Sequence, residues 1–134
     1  MQNQVVVAGA LIVRGELLVA QRGRPPELAG RWELPGGKVA AGETDAEALA
    51  RELAEELGIE VSVGQRLPGA VALSDTTTLR AFQVTQTCDG SARAHDHQAV
   101  RWIAATELDE LDWVPADRIW IPELKRLLTA DSIG

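Results

Sequence analysis

Residues 37–59 read GKVAAGETDAEALARELAEELGI, and this stretch decides the fold. Thr44-Asp45-Ala46-Glu47 is a capping box. A hydroxyl and a glutamate three residues on satisfy two of the backbone donors left open where a helix begins. Gly58 supplies the left-handed stop. The helix predicted between them is DAEALARELAEEL, residues 45–57. At about 100° per residue, Ala46, Leu49, Ala50, Leu53 and Leu57 fall on one stripe, which should face a sheet. Glu52, Glu55 and Glu56 fall on another arc at spacing i, i+3, i+4, so their carboxylates project together. Like charges at this spacing destabilise a helix by about 0.2–0.5 kcal/mol per pair. A hard divalent cation such as Mg²⁺, which takes oxygen ligands, would offset that repulsion. On spacing alone the alternative is a solvated acidic face, with Arg51 pairing to Glu47 and Glu55.

Upstream, QVVVAGALIV (4–13) and LLVAQ (17–21) read as strands, joined into a hairpin by Arg14-Gly15-Glu16. RGRPPELAGRWELPGGKVAAGE (22–43) reads as a loop, long enough to imply that it serves a site. Downstream, Glu60 to Val63 is a short strand, residues 72–87 suggest a strand pair, and HQAVRWIA (97–104) is one more strand. Thr106-Glu107-Leu108-Asp109 starts a turn of helix, and Pro122 suits the first position of a last helix, PELKRLLTA. Strands outnumber helices and neighbours can pair in a mixed sheet, which gives an α/β sandwich class.

The chain of 134 residues suits one domain spanning 1–134, with 46% hydrophobic and 25% charged residues. One cysteine, Cys88, excludes an internal disulfide and suits a reducing, cytoplasmic location. MQNQVVVAGALIV has no basic segment before its apolar run and Arg14 interrupts it, against a signal peptide or membrane span. A net charge of −7 argues against a nucleic acid polymer as partner. A polyphosphate remains open to an acidic protein that uses metal ions and a few local cations.

The stretch 37–59 has the form G-x5-E-x7-R-E-U-x-E-E-x-G-U, with U an aliphatic residue. Gly37, Glu43, Arg51, Glu52, Leu53, Glu55, Glu56, Gly58 and Ile59 fill every fixed position. At ordinary residue usage such a match arises by chance on the order of 10⁻⁹ per window. It resembles the Nudix box. WELPGGK at 32–38, Arg22, and Pro115-Ala116-Asp117 are similar to the MutT-like branch. Within that branch they resemble pyrophosphohydrolases of CTP, dCTP and oxidised guanine nucleotides. The resemblance implies a Nudix α/β/α sandwich around a mixed sheet and Mg²⁺ as cofactor, with Mn²⁺ as a substitute. It implies hydrolysis of a nucleoside triphosphate to the monophosphate and pyrophosphate, in nucleotide-pool sanitation, by a monomer or homodimer.

The same resemblance assigns roles. Glu52, Glu55 and Glu56 would hold the metal, with the Gly36 carbonyl and Asp96, six residues before Trp102, as further ligands. His95 and His97 flank Asp96 and read as surface residues rather than a transition-metal pair. Glu52 is the first choice for general base and Glu55 the alternative. Arg51 would hold the acids in place, and Glu43 would brace the loop against the helix. Arg22, Glu33, Leu34, Pro35, Gly36 and Lys38 would contact substrate, Leu34 as an apolar wall. Arg24 and Arg31 read equally as solvated loop cations. Asp117 reads as the base-recognising residue or as a helix cap. An ionised aspartate only accepts hydrogen bonds and so suits the cytosine amino group. One of Trp32, Trp113 and Trp120 would stack on a base, unless all three pack the core. Two alternatives stand beside this reading: a Nudix hydrolase of another nucleoside diphosphate derivative, and a nucleotide sensor without hydrolysis. The absence of tyrosine and the position of Pro68 count against the dinucleoside polyphosphate and ADP-ribose branches, and the complete set of box acids counts against the sensor.

Overall fold

The computed structural model describes residues 3–87 and 99–133. Strand β1 (Gln4–Val13) and strand β2 (Glu16–Gln21) form the expected hairpin. Arg14 and Gly15 both take positive φ, 54° and 78°, which a two-residue turn between twisted strands requires. Within residues 22–43, expected as loop, two short strands appear: β3 (Trp32–Glu33) on β2, and β4 (Gly36–Lys38) on β1. Gly36 permits the second pairing, because a Cβ there would lie 1.8 Å from the Val7 carbonyl oxygen. Strand β5 (Val61–Arg66) starts one residue later and runs further than the reading of 60–63. Strands β6 (Val71–Ala72) and β7 (Thr77–Gln86) form the expected pair, and β8 (Ala99–Ala104) lies on β2.

The sheet runs β3-β2-β1-β7-β5. β1 and β7 are parallel from Gln4↔Thr77 to Leu11↔Val84, while the other pairings are antiparallel, so the sheet is mixed as expected. Its two faces bury different partners. Val7 and Leu11 face helix α1 (Asp45–Leu57) through Leu49, Leu53 and Leu57. Gly9 lets Leu53 approach, since a Cβ would meet its Cδ1 at 3.3 Å. Ala8 and Ala10 face the opposite layer, with Trp113, Trp120, Leu124 and Leu128. That layer holds a 3₁₀ turn Pro115–Trp120 and helix α2 (Ile121–Ile133). Pro122 is therefore the second helical residue rather than the first. Ala105–Glu107 forms the short 3₁₀ turn expected near 106–109.

Helix α1 keeps its predicted bounds, with the capping box complete and Gly58 at φ 68°. Its buried stripe differs at the alanines: Ala48 is buried, Ala50 half-buried and Ala46 exposed. The helix packs on β4 as well as on β1 and β5, which widens the buried arc to include Ala48.

Candidate active site

Arg51 organises the acidic face. Its Nε and Nη2 donate to Glu43 at 2.7 and 2.9 Å, and Nη1 donates to Glu52 at 2.7 Å and Glu55 at 3.2 Å. Nη2 also reaches the Lys38 carbonyl at 3.1 Å, tying β4 to the helix. The pairing with Glu47 that a solvated acidic face would bring does not form, because the Glu47 carboxylate accepts from Thr44 N–H in the capping box. Glu43 accepts in addition from Ala40 N–H at 2.8 Å. The bond from Arg51, then that from Ala40, hold the Glu43 carboxyl down at about 2. Hydrogen bonds to Glu43 and Glu52 push the guanidinium up, so Arg51 stays charged at every relevant pH.

Gly37 makes this arrangement possible. A Cβ at Gly37 would stand 2.1 Å from Glu52 Oε2, so the backbone of the glycine loop lies directly against that carboxylate. One oxygen of Glu56, Oε2, is buried and accepts no hydrogen bond among the described residues. Among those residues no three His, Cys, Asp or Glu side chains converge into a ready metal cage. Glu52 and Glu55 turn instead toward Arg51. The donor set nevertheless fits a hard divalent cation. Three carboxylates leave one helix face within a turn of each other, and oxygen is the ligand such a cation takes.

Beside this face opens a cleft of about 770 Å³. Gly36, Gly37, Lys38 and Glu56 line it, and so do Arg22, Arg24, Glu33, Leu34 and Asp117. Of the residues expected to touch substrate, Pro35 lies outside the lining. It is buried, and its carbonyl accepts from Gly9 N–H at 2.8 Å, which pins the loop to β1. Arg31 also lies outside the lining, whereas Arg24 is part of it. Asp96, His95, His97 and Cys88 lie outside the described residues.

Asp117 is 3% exposed. It sits inside the 3₁₀ turn rather than capping a helix, and its Oδ2 accepts from Leu34 N–H at 2.7 Å. The bond joins two cleft segments 83 residues apart in sequence. Burial pushes the carboxyl up to about 7; the Leu34 bond opposes this, Glu33 adds to it, and Arg22 opposes it. Glu33 and Arg22 themselves pair at 3.0 Å.

The tryptophans take structural roles. Trp113 and Trp120 are buried, donating through Nε1 to Leu108 O at 2.8 Å and Pro68 O at 2.9 Å. Trp32 is half-buried with the Arg101 guanidinium 5.9 Å from its ring centre. No described tryptophan lines the cleft. Aliphatic side chains do so instead: Val6 and Ala8 of β1, Leu79 of β7, and the exposed Leu73. Sequence reasoning named only Leu34 among the cleft's apolar walls. β1 is apolar on both faces, so its alternation does not reveal which side chains border a cavity.

The family model for the NUDIX domain matches residues 3–124. A Mycobacterium tuberculosis (strain H37Rv) protein carrying the provisional name 8-oxo-dGTP diphosphatase 2 is 60% identical over 135 residues, spanning 98% of this chain and 95% of that protein. The CTP pyrophosphohydrolase of Escherichia coli (strain K12) is 39% identical over 118 residues, spanning 86% of this chain and 87% of that one. The solution structure of the Escherichia coli ORF135 protein superposes with a TM-score of 0.76 at 33% identity, covering 99% of this chain and 94% of that one.

Proposed function

The chain belongs to the NUDIX family, and from that premise we propose that it hydrolyses nucleoside triphosphates to the monophosphate and pyrophosphate. The substrates are CTP or dCTP, modified pyrimidine nucleotides and 8-oxo-guanine nucleotides, and the role is sanitation of the nucleotide pool. The observation that carries this reading is the composition of one cleft. Glu56, Gly36, Gly37 and Lys38 share it with Leu34 and Asp117, so one of the helix acids, phosphate-directed groups and a base-directed carboxylate face one volume.

Mg²⁺, with Mn²⁺ as a substitute, would be held by Glu52, Glu55 and Glu56, the Gly36 carbonyl and Asp96. When bound, such a cation neutralises phosphate charge and lowers the pKa of the attacking water. The residues of the chain do the rest. Glu52 takes the proton as water attacks phosphorus, with Glu55 the second carboxylate able to do so. Arg51 orients both. Arg22 and Lys38 bind phosphate oxygens, the first as a fork and the second as a point charge. Leu34 bounds the base, and Asp117 reads it. The unit is one catalytic domain over residues 1–134, cytoplasmic, acting as a monomer or homodimer.

Pyrophosphate release with Mg²⁺ across a panel of nucleoside triphosphates, nucleotide sugars and dinucleoside polyphosphates tests this. Turnover concentrated on cytosine and oxidised guanine nucleotides is expected. Turnover confined to another diphosphate derivative, or binding with no release, would overturn it in favour of one of the alternatives.

A further inference from the structure

Arg22 and Arg24 both line the cleft, but their guanidinium groups are committed differently. Arg22 donates through Nη1 to Glu33 at 3.0 Å and through Nε to the Arg24 carbonyl at 3.0 Å, which leaves Nη2 as its open edge. Glu33 also offsets its charge. Arg24 is exposed, and its guanidinium makes no hydrogen bond or ion pair among the described residues. Its main chain, by contrast, is anchored. Besides the bond from Arg22 Nε, Leu28 N–H donates to Pro25 O at 2.9 Å and Arg31 N–H to Leu28 O at 3.0 Å. Arg22 N–H donates to Arg31 O and Gly30 N–H to Arg22 O, both at 2.9 Å. Pro25 and Pro26 fix two further φ angles directly after Arg24. The loop therefore presents one unspent planar fork from a fixed backbone, which lowers the ordering cost of binding. A cation that only faces solvent gains nothing from such support.

We infer that Arg24 is a substrate-binding residue whose free fork takes the phosphate chain. This rests on the phosphate-bearing substrate proposed above and adds a contact to it. The charges on the cleft wall leave room for one. Arg22, Arg24 and Lys38 stand there with Glu33, Glu56 and Asp117. With Arg22 offset by Glu33, Lys38 and Arg24 are the cations left to meet a polyanion. They stand on separate segments, Lys38 at the end of β4 and Arg24 three residues beyond β2. Two cations so placed suit an extended anion, and a guanidinium binds phosphate through paired, charge-assisted bonds.

The test is calorimetric titration of the intact, metal-free protein with cytidine, CTP and inorganic tripolyphosphate. Arg24→Ala is expected to weaken CTP and tripolyphosphate by at least about tenfold, the scale of one lost charge-assisted contact, and to leave cytidine unchanged. Arg24→Lys keeps the charge and loses the fork, so it should recover part of that loss. The gap between parent and Arg24→Ala should narrow as salt is raised. Both variants should melt with the parent, because the side chain has no partner among the described residues. Equal losses for cytidine and CTP would move Arg24 to the base or sugar. Unchanged tripolyphosphate affinity in Arg24→Ala would make it a solvated loop cation. Either result overturns the proposal, and so does a parent protein that binds no tripolyphosphate. Tripolyphosphate binding that depends on Arg24, with no turnover of cytosine or oxidised guanine nucleotides in the pyrophosphate assay, would support the proposal while removing the substrate reading above.

Discussion

Arg51 holds Glu43 through two nitrogens at once, Nε at 2.7 Å and Nη2 at 2.9 Å, across the junction of glycine loop and helix. The pair closes a ring of contacts, because Glu43 also accepts from Ala40 N–H and Arg51 also donates to the Lys38 carbonyl. Loop and helix are thereby fixed to each other by charge-assisted bonds, with the Glu52 and Glu55 carboxylates held by the same guanidinium.

This ring has an acid limit. The folded Glu43 carboxyl titrates near 2, below its ordinary 4.5, so its contribution is complete above about pH 4.5 and lost as pH falls through 2. Glu43→Gln should lower the melting temperature at pH 7. The gap between the variant and the parent should then close as pH is lowered from 4.5 toward 2. Melting curves of both proteins at half-unit steps over that window check it. A gap that does not vary with pH would mean that the pair contributes nothing through its charge.

Glu56→Gln is expected to keep the fold, since the change is isosteric and α1 is held by Leu49, Leu53 and Leu57. Turnover at saturating Mg²⁺ should fall by at least about 10², the scale of a lost metal-ion or acid–base contribution. Circular-dichroism melting and single-turnover kinetics on the same preparation separate the two quantities. Near-parental turnover would remove Glu56 from the proposed metal set.

The two neighbouring glycines should behave differently. At Gly36 a Cβ would strike the Val7 carbonyl, which is backbone of the central strand and cannot yield without breaking the β1–β4 pairing. At Gly37 it would strike the Glu52 carboxylate, the far end of a side chain that can swing away. Gly36→Ala should therefore lower the melting temperature sharply. Gly37→Ala should melt near the parent yet lose at least about tenfold in turnover, because a misplacement of about 1 Å at the chemistry is enough for that. Equal stability losses in the two variants would contradict the assignment.

The contrast bears on what a sequence reader can see. Helix α1, its caps and the hairpin rest on local chemistry: Thr44 with Glu47, Gly58, and the Arg14-Gly15 turn. They were legible for that reason. The short strands inside 22–43 were not, because β3 and β4 have two and three residues and exist only by pairing with β2 and β1. Residues 3–124 carry the family pattern, and through it Arg51, Glu43 and the three helix acids could be named in advance. Cleft walls such as Val6, Ala8 and Leu79 depend on how the two layers meet, which no spacing within one strand encodes. Glu47 serves the cap, as the capping box requires, and not the Arg51 pairing that the alternative of a solvated acidic face would need.

Asp117 gives the last prediction, on stability. Its folded carboxyl titrates near 7 against an ordinary 3.8, so between those values the native state keeps a proton that the unfolded chain has released. Stability must then decline as pH rises from about 4 to 7, by up to about 1.4 kcal/mol per pH unit from this group, and level off above it. Asp117→Asn removes the titration while its amide oxygen can still accept from Leu34 N–H. The variant should therefore gain on the parent as pH rises, and the difference in melting temperature should grow across pH 4–7 and flatten by pH 8. Asp117→Ala loses the Leu34 bond as well, so it should share the pH trend from a lower baseline, offset by the roughly 1–3 kcal/mol of an unmet buried donor. Chemical denaturation of all three proteins at five pH values measures both effects. Parallel curves for parent and Asn variant would show that the buried carboxyl does not titrate in this range.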